Sequence, residues 1–179
     1  MHLPERGAEV LVVGGRAGAG KTTVGWEVAA LLRRADVSHV VVEGDFLDHV
    51  YPAPPAADGP ALAERNLGAL WVNFARLGHH RLISTNTAAV LPEATPMFPR
   101  AMGAGTRIIR VLLTASDATA AERLTRRELG SERDRELRNS APKARLLEDR
   151  APADTVRVAT DGRRVGEIAR DVLAATGWA

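Results

Sequence analysis

Cysteine is absent from the 179-residue chain, which removes disulfides, thiolate metal sites and thiol nucleophiles from consideration. No apolar run approaches the roughly 20 residues that span a bilayer. Met1–Glu9 is polar and lacks the apolar core of a secretory signal. A cytoplasmic location is therefore expected, and a membrane partner is not. Net charge is scarce: 24 Lys and Arg against 22 Asp and Glu leave +2, too little to indicate a nucleic-acid partner. Lysine itself is rare, at positions 21 and 143 only, so a lysine at a demanding position stands out. What the chain does have is 45% hydrophobic residues, enough to build a core for one domain over 1–179.

Hydrophobic spacing sets out the elements. Glu9–Val13 is a short apolar run leading into Gly14-Gly15, and it reads as a buried strand. Thr22–Ala35 carries Val24, Val28, Leu31 and Leu32 at helical spacing. His39–Val42, Arg81–Thr85, Thr106–Thr114 and Thr155–Ala159 supply four more strands. Helices are expected over Ala61–Leu77, with Leu67, Leu70, Trp71, Phe74 and Leu77 on one face, and over 117–129, 132–149 and 162–175. Ser116 or Asp117 should cap the first of those three, and Pro142 should loosen the second. Tyr51–Pro60, with prolines 52, 54, 55 and 60, reads as a loop near a site, and Asn86–Gly105 as an irregular stretch beside it with one helical turn. Strand and helix alternate throughout, which predicts an α/β fold: a parallel sheet with helices on both faces. Its ligand crevice should lie at the carboxyl ends of the strands.

At the end of the first strand stands Gly15-Arg16-Ala17-Gly18-Ala19-Gly20-Lys21-Thr22, which matches the phosphate-loop pattern G-x-x-x-x-G-K-[ST]. Each part has a physical task. The glycines allow successive backbone N–H groups to point at phosphate oxygens, and the helix that follows adds its N-terminal dipole. Lys21 is placed to reach the β- and γ-phosphates, and the Thr22 hydroxyl to ligate Mg²⁺. Residues 15–23, Thr23 included, are the expected ATP contacts. A dinucleotide fingerprint fits badly, because Thr23 stands where a third small residue is needed.

Other candidates gather at the remaining strand ends. Glu43-Gly44-Asp45 closes the second strand. Asp45 is the leading candidate to accept a substrate hydroxyl's proton, and a second candidate beside Thr22 for the metal, with Glu43 in reserve. Asp48, His49, Arg65 and Asn66 follow as possible acceptor contacts. Thr85-Asn86-Thr87 ends the third strand, where many P-loop proteins carry an aspartate for the metal; either Asp45 or Glu43 must take over that task. Arg123, Arg126 and Arg127 fall on the helix after the fourth strand at spacings of three and four, the place for an arginine-bearing lid over about 123–140. Arg163, in Thr160-Asp161-Gly162-Arg163, is expected near the base.

On the phosphate loop, Glu43-Gly44-Asp45-Phe46-Leu47 and Ala121-Glu122-Arg123-Leu124 with Arg127, the chain resembles the small P-loop kinases of metabolites: gluconate, shikimate and adenylyl-sulfate kinases and chloramphenicol phosphotransferase. The resemblance implies a five-stranded parallel sheet of order 2-3-1-4-5 with a lid after the fourth strand. It also implies that Asp45 handles the acceptor hydroxyl, Arg123 lies against adenine and Arg127 meets phosphate. Glu128-Leu129-Gly130-Ser131 differs from the gluconate-kinase lid sequence, and Thr85-Asn86-Thr87 replaces the glycine-rich third-strand end of shikimate kinases. The acceptor therefore does not carry over. The expected activity is ATP- and Mg²⁺-dependent phosphoryl transfer to a hydroxyl of a sugar acid, nucleoside or antibiotic-like molecule. The competing expectation is an ATP-binding switch or slow ATPase with no acceptor. Nothing in the sequence fixes the oligomeric state.

Overall fold

The computed structural model describes residues 7–55, 58–127 and 131–179, with the side chains of residues 59, 60, 127 and 131–133 left aside. Five strands, β1 (Glu9–Gly15), β2 (Val40–Glu43), β3 (Arg81–Thr85), β4 (Arg107–Thr114) and β5 (Val156–Ala159), form one sheet of order β2-β3-β1-β4-β5. Every pairing is parallel, as the alternation of elements and the family resemblance both imply. Among the described residues the helices are α1 (Lys21–Arg34), α2 (Gly59–Arg76), α3 (Met97–Met102), α4 (Asp117–Arg127), α5 (Ser131–Arg150) and α6 (Val165–Ala174). A single 3-10 turn, Gly44–Phe46, follows β2.

The strand pleat divides the apolar residues between two cores. Leu11, Val13, Ile83, Val111 and Leu113 face α1 and α6, where Val28, Leu32, Ile168 and Val172 meet them. Val10, Val12, Val40, Val42, Leu82 and Leu112 face the other way, against Leu67, Trp71, Phe98 and Leu147. Burial on both faces is what a central parallel sheet requires. Gly25 lets α1 lie close over β3: a Cβ there would come within 2.8 Å of the Thr85 methyl.

Three expectations change in detail. Helix α2 buries Leu67 and Trp71, but Leu70 is 39% and Leu77 76% exposed, so the apolar stripe is narrower than its spacing suggests. Pro142 does not interrupt α5, which runs on to Arg150. The Asn86–Gly105 stretch contains a short helix, α3, whose Phe98 and Met102 are buried beneath α2. No helix among the described residues is long and apolar enough to cross a membrane.

Candidate nucleotide and acceptor site

The phosphate loop joins β1 to α1 at the carboxyl edge of the sheet. Gly18 has φ +86°, and a Cβ on it would sit 2.6 Å from the Ala120 carbonyl oxygen; no side chain fits there. The Lys21 Nζ donates to the Arg16 carbonyl at 3.3 Å, so the ammonium lies across the mouth of the loop. A cleft of about 600 Å³ opens there. Gly18, Gly20, Lys21, Thr22 and Thr23 form one wall, Asp45, His49 and Thr87 a second, and Arg123, Arg135 and Glu136 a third. Its volume lies in the range of small-molecule sites.

Which carboxylate serves Thr22 follows from the pleat. Val40 and Val42 point into the α2-side core and Val41 toward α1, so Glu43 also points toward α1. In register, Glu43 is the partner of Thr85. Both hydroxyls converge on one oxygen: the Thr22 Oγ1 donates to the Glu43 Oε2 at 3.2 Å and the Thr85 Oγ1 at 2.7 Å. The other oxygen, Oε1, is buried with no hydrogen-bond partner. An orphaned buried carboxylate oxygen beside a phosphate-loop threonine fits a divalent cation. The described residues contain no group of three or more His, Cys, Asp or Glu able to hold a metal. A cation at Thr22 and Glu43 would therefore take its remaining ligands from water and phosphate oxygens, as Mg²⁺ commonly does.

Asp45 lies beyond the strand, in the 3-10 turn, where the pleat no longer governs it. Its Oδ1 accepts from the Asn86 Nδ2 at 2.6 Å. Asn86 is itself oriented, because its Oδ1 accepts the Ala88 N–H at 3.0 Å. The structure thus separates the two carboxylates: Glu43 sits against Thr22, and Asp45 faces the cleft. Arg65 is exposed on α2. Asn66 donates to the Leu47 carbonyl at 2.6 Å and so holds the chain just past Asp45.

On the opposite wall the Arg123 guanidinium donates to the Gly18 carbonyl at 3.2 Å, the Thr160 Oγ1 at 3.0 Å and the Thr160 carbonyl at 3.0 Å. It ties α4 to the loop and to the end of β5. Ser116 is the cap of α4, its Oγ accepting the Thr119 N–H at 3.2 Å. Asp161 accepts from the Ser116 Oγ at 2.7 Å and its N–H at 3.0 Å. The hydrogen-bonding hydroxyls of Thr119 and Ser116 hold its carboxyl down at about 2. Arg163 goes elsewhere: it donates to the Ala159 carbonyl at 3.1 Å and pairs with Asp171 at 2.7 Å, outside the cleft wall. Arg126 pairs with Glu122 on the surface of α4. The Arg127 side chain and residues 128–130 of the expected lid lie outside the described residues.

Arg16 carries the largest difference from expectation. Its side chain is 5% exposed and turns behind the loop, away from the cleft. The Nε donates to the Ser140 Oγ at 2.8 Å, and a terminal nitrogen pairs with Asp117. Arg16 can offer phosphate its backbone only. No spacing rule reveals this, since the x positions of the motif do not encode side-chain direction. Ser140 likewise has no sequence signal, whereas Thr85 could have been found from strand register.

No protein-family profile matches the chain, and no curated protein matches it in sequence. Solved structures do match. A gluconokinase from Sinorhizobium meliloti 1021 aligns at 21% identity and TM-score 0.60, over 98% of this chain and 93% of its own. The APS kinase of Mycobacterium tuberculosis, in complex with AMPPNP and APS, aligns at 22% identity and TM-score 0.55, over 97% and 99%. The tunicamycin resistance protein of Deinococcus radiodurans aligns at 14% identity and TM-score 0.64, over 96% and 97%. With its sheet order and end-to-end coverage, the chain has the fold of the P-loop small-molecule kinases.

Proposed function

We propose that this protein is a Mg²⁺-dependent kinase that transfers the γ-phosphate of ATP to a hydroxyl of a small molecule. One observation carries the reading: two carboxylates with different surroundings flank the phosphate loop, Glu43 directly against Thr22 and Asp45 across the cleft. Glu43, with Thr22, is suited to the metal. Asp45, held by Asn86, is suited to the acceptor. The backbone of 15–22 and Lys21 would bind the triphosphate, and Arg123, beside Gly18 and Thr160, would flank the base. Asp45 would take the proton of the acceptor hydroxyl as its oxygen attacks the γ-phosphorus in line, and ADP would leave. Magnesium, when bound, supplies charge neutralisation between the β- and γ-phosphates. The gluconokinase and APS kinase likenesses support a phosphotransferase with differing acceptors, and the acceptor class here spans sugar acids, nucleosides and hydroxylated antibiotics.

The test is single-turnover ADP release from ATP, with and without a panel of those three acceptor classes. Acceptor-dependent release is expected, and Asp45→Asn should abolish it while keeping ATP affinity within about threefold. Tight ATP binding with no release under any acceptor would instead favour a nucleotide switch. Full transfer by Asp45→Asn would refute the base assignment.

A further inference from the structure

We infer that Ser140 and Asp117 are positioning residues of the phosphate loop, acting through Arg16, and that nucleotide binding is thereby coupled to the docking of α5. The inference rests on the loop binding a nucleotide, as proposed above. Ser140 accepts from the Arg16 Nε at 2.8 Å and donates to the Ala17 carbonyl at 2.9 Å. One hydroxyl therefore fixes both the side chain of the loop's second residue and the backbone of its third. Arg16 is held from its other side by Asp117 and by the Ala115 carbonyl at 3.4 Å. The Arg16 carbonyl in turn accepts the Lys21 ammonium. A continuous polar chain thus runs from α5 to the phosphate-binding lysine.

The anchoring of α5 is narrow. Among its described side chains only Ser140 and Leu147 are buried, two turns apart. Beside them a cavity of about 470 Å³ separates α5 from the end of β4, with Leu112, Ala141 and Ala144 in its wall. The middle of the helix is held to the loop by hydrogen bonds more than by close packing. Glu136 lies one turn before Ser140 on the same face, and with Arg135 it lines the cleft. The hydroxyl that shapes the loop also sets where this wall of the cleft stands. Since coupling between two bound states is reciprocal, ligand in the loop should steady α5, and loosening α5 should weaken ligand.

Hydrogen exchange with and without AMPPNP, together with ATP affinity, tests this. In the wild type, AMPPNP should slow exchange in 14–23 and also in 134–150. Ser140→Ala should weaken ATP about tenfold, as loss of two buried hydrogen bonds would. It should keep protection of 14–23 at saturating AMPPNP and lose that of 134–150. Asp117→Ala leaves the buried hydroxyl in place and should give a weaker version, about threefold. Glu9→Gln, at the far end of the sheet, is the control for general destabilisation and should leave α5 protection intact. Wild-type protection confined to 14–23 would overturn the coupling and leave the kinase reading standing. No nucleotide-dependent protection anywhere would sink both. Ser140→Ala and Asp117→Ala with ATP affinity within twofold and α5 still protected would also overturn it.

Discussion

Two glutamates at opposite ends of the sheet are treated in opposite ways. Glu9, at the foot of β1, has a cationic partner for each of its oxygens. Its Oε2 accepts from Arg107 at 2.6 Å and from the Trp178 indole N–H at 3.1 Å, and its Oε1 pairs with Arg81 at 3.7 Å. Arg81 also lies over the Trp178 ring, 5.9 Å from its centroid. Glu43, at the top of β2, has two threonine donors on one oxygen and none on the other. The foot is a network of paired charges that joins strand starts to Trp178, although the Arg81 Nε in it is buried without a hydrogen bond. The top is an unfinished one, and an unsatisfied buried oxygen is a cost that a ligand can relieve. The contrast teaches which polar clusters hold the fold together and which are kept for something that binds.

Substitutions at the two ends should therefore separate binding and transfer from stability. The largest effect is expected from Lys21→Ala, which removes the ammonium at the loop mouth. ATP affinity should fall by about a hundredfold or more, equivalent to losing at least ~2.7 kcal/mol of charge-assisted contact, with thermal stability little changed. Equilibrium ATP titration and a melting curve read both; unchanged affinity would end the case for the loop. Glu43→Gln comes next. It keeps the shape and removes the charge, so transfer should drop about 10²–10³-fold, as when one electrostatic element of a site is lost. Its Tm should hold or rise, because a carboxylate with one buried oxygen left without a hydrogen bond becomes a neutral amide. A fall of several degrees would mean that Glu43 is a structural residue like Glu9, and the comparison would break.

The smallest effect belongs to Glu9→Gln. Losing charge-assisted hydrogen bonds should cost about 1–2 kcal/mol, or roughly 3–6 °C in Tm for a chain of this size, with ATP affinity unaltered. Its pH dependence sharpens the point. Burial pushes the Glu9 carboxyl up, but the Arg107 and Trp178 hydrogen bonds and the Arg107 and Arg81 charges outweigh it and hold it below its ordinary 4.5. A depressed carboxyl contributes stability above its unfolded value and loses it as pH falls through its folded one. The wild-type advantage over Glu9→Gln should be constant from neutral pH to about 5.5 and close below pH 4.5. An advantage that persists at pH 2 would show that the glutamate acts through packing alone.

Much of the fold is legible in the residues. Short apolar runs placed every described strand and period-3.6 spacing the longer helices, because each element buries an apolar face. The sheet order came from resemblance, since local periodicity does not say which strands are neighbours. Short α3 was legible only as one helical turn within an irregular stretch, because its six residues carry no full amphipathic cycle. In the site, the loop was legible because glycine spacing is itself the requirement. The different surroundings of Glu43 and Asp45 were not, although the alternation of β2 predicts that Glu43 shares a face with Val41 and so with α1. The directions of Arg16 and Arg163 depend on partners 124 and 8 residues away in sequence, and no spacing rule reaches them.

Trp178 gives the foot of the sheet an optical consequence. It is 6% exposed and about 20 Å from the phosphate loop, the length of seven strand residues at ~3.3 Å each. Trp71 is likewise buried, and Trp26 is 53% exposed. The two shielded indoles should emit to the blue of Trp26, and selective excitation at the red edge should isolate the latter. A red shift of the blue component then reports the opening of the foot and of α2. Trp26, on α1, lines a surface pocket with Val40, Phe74 and His79, beside the starts of β2 and β3, so it reports on the outer surface of that same end. One chain thus carries separate spectral gauges for the inside and the outside of the foot.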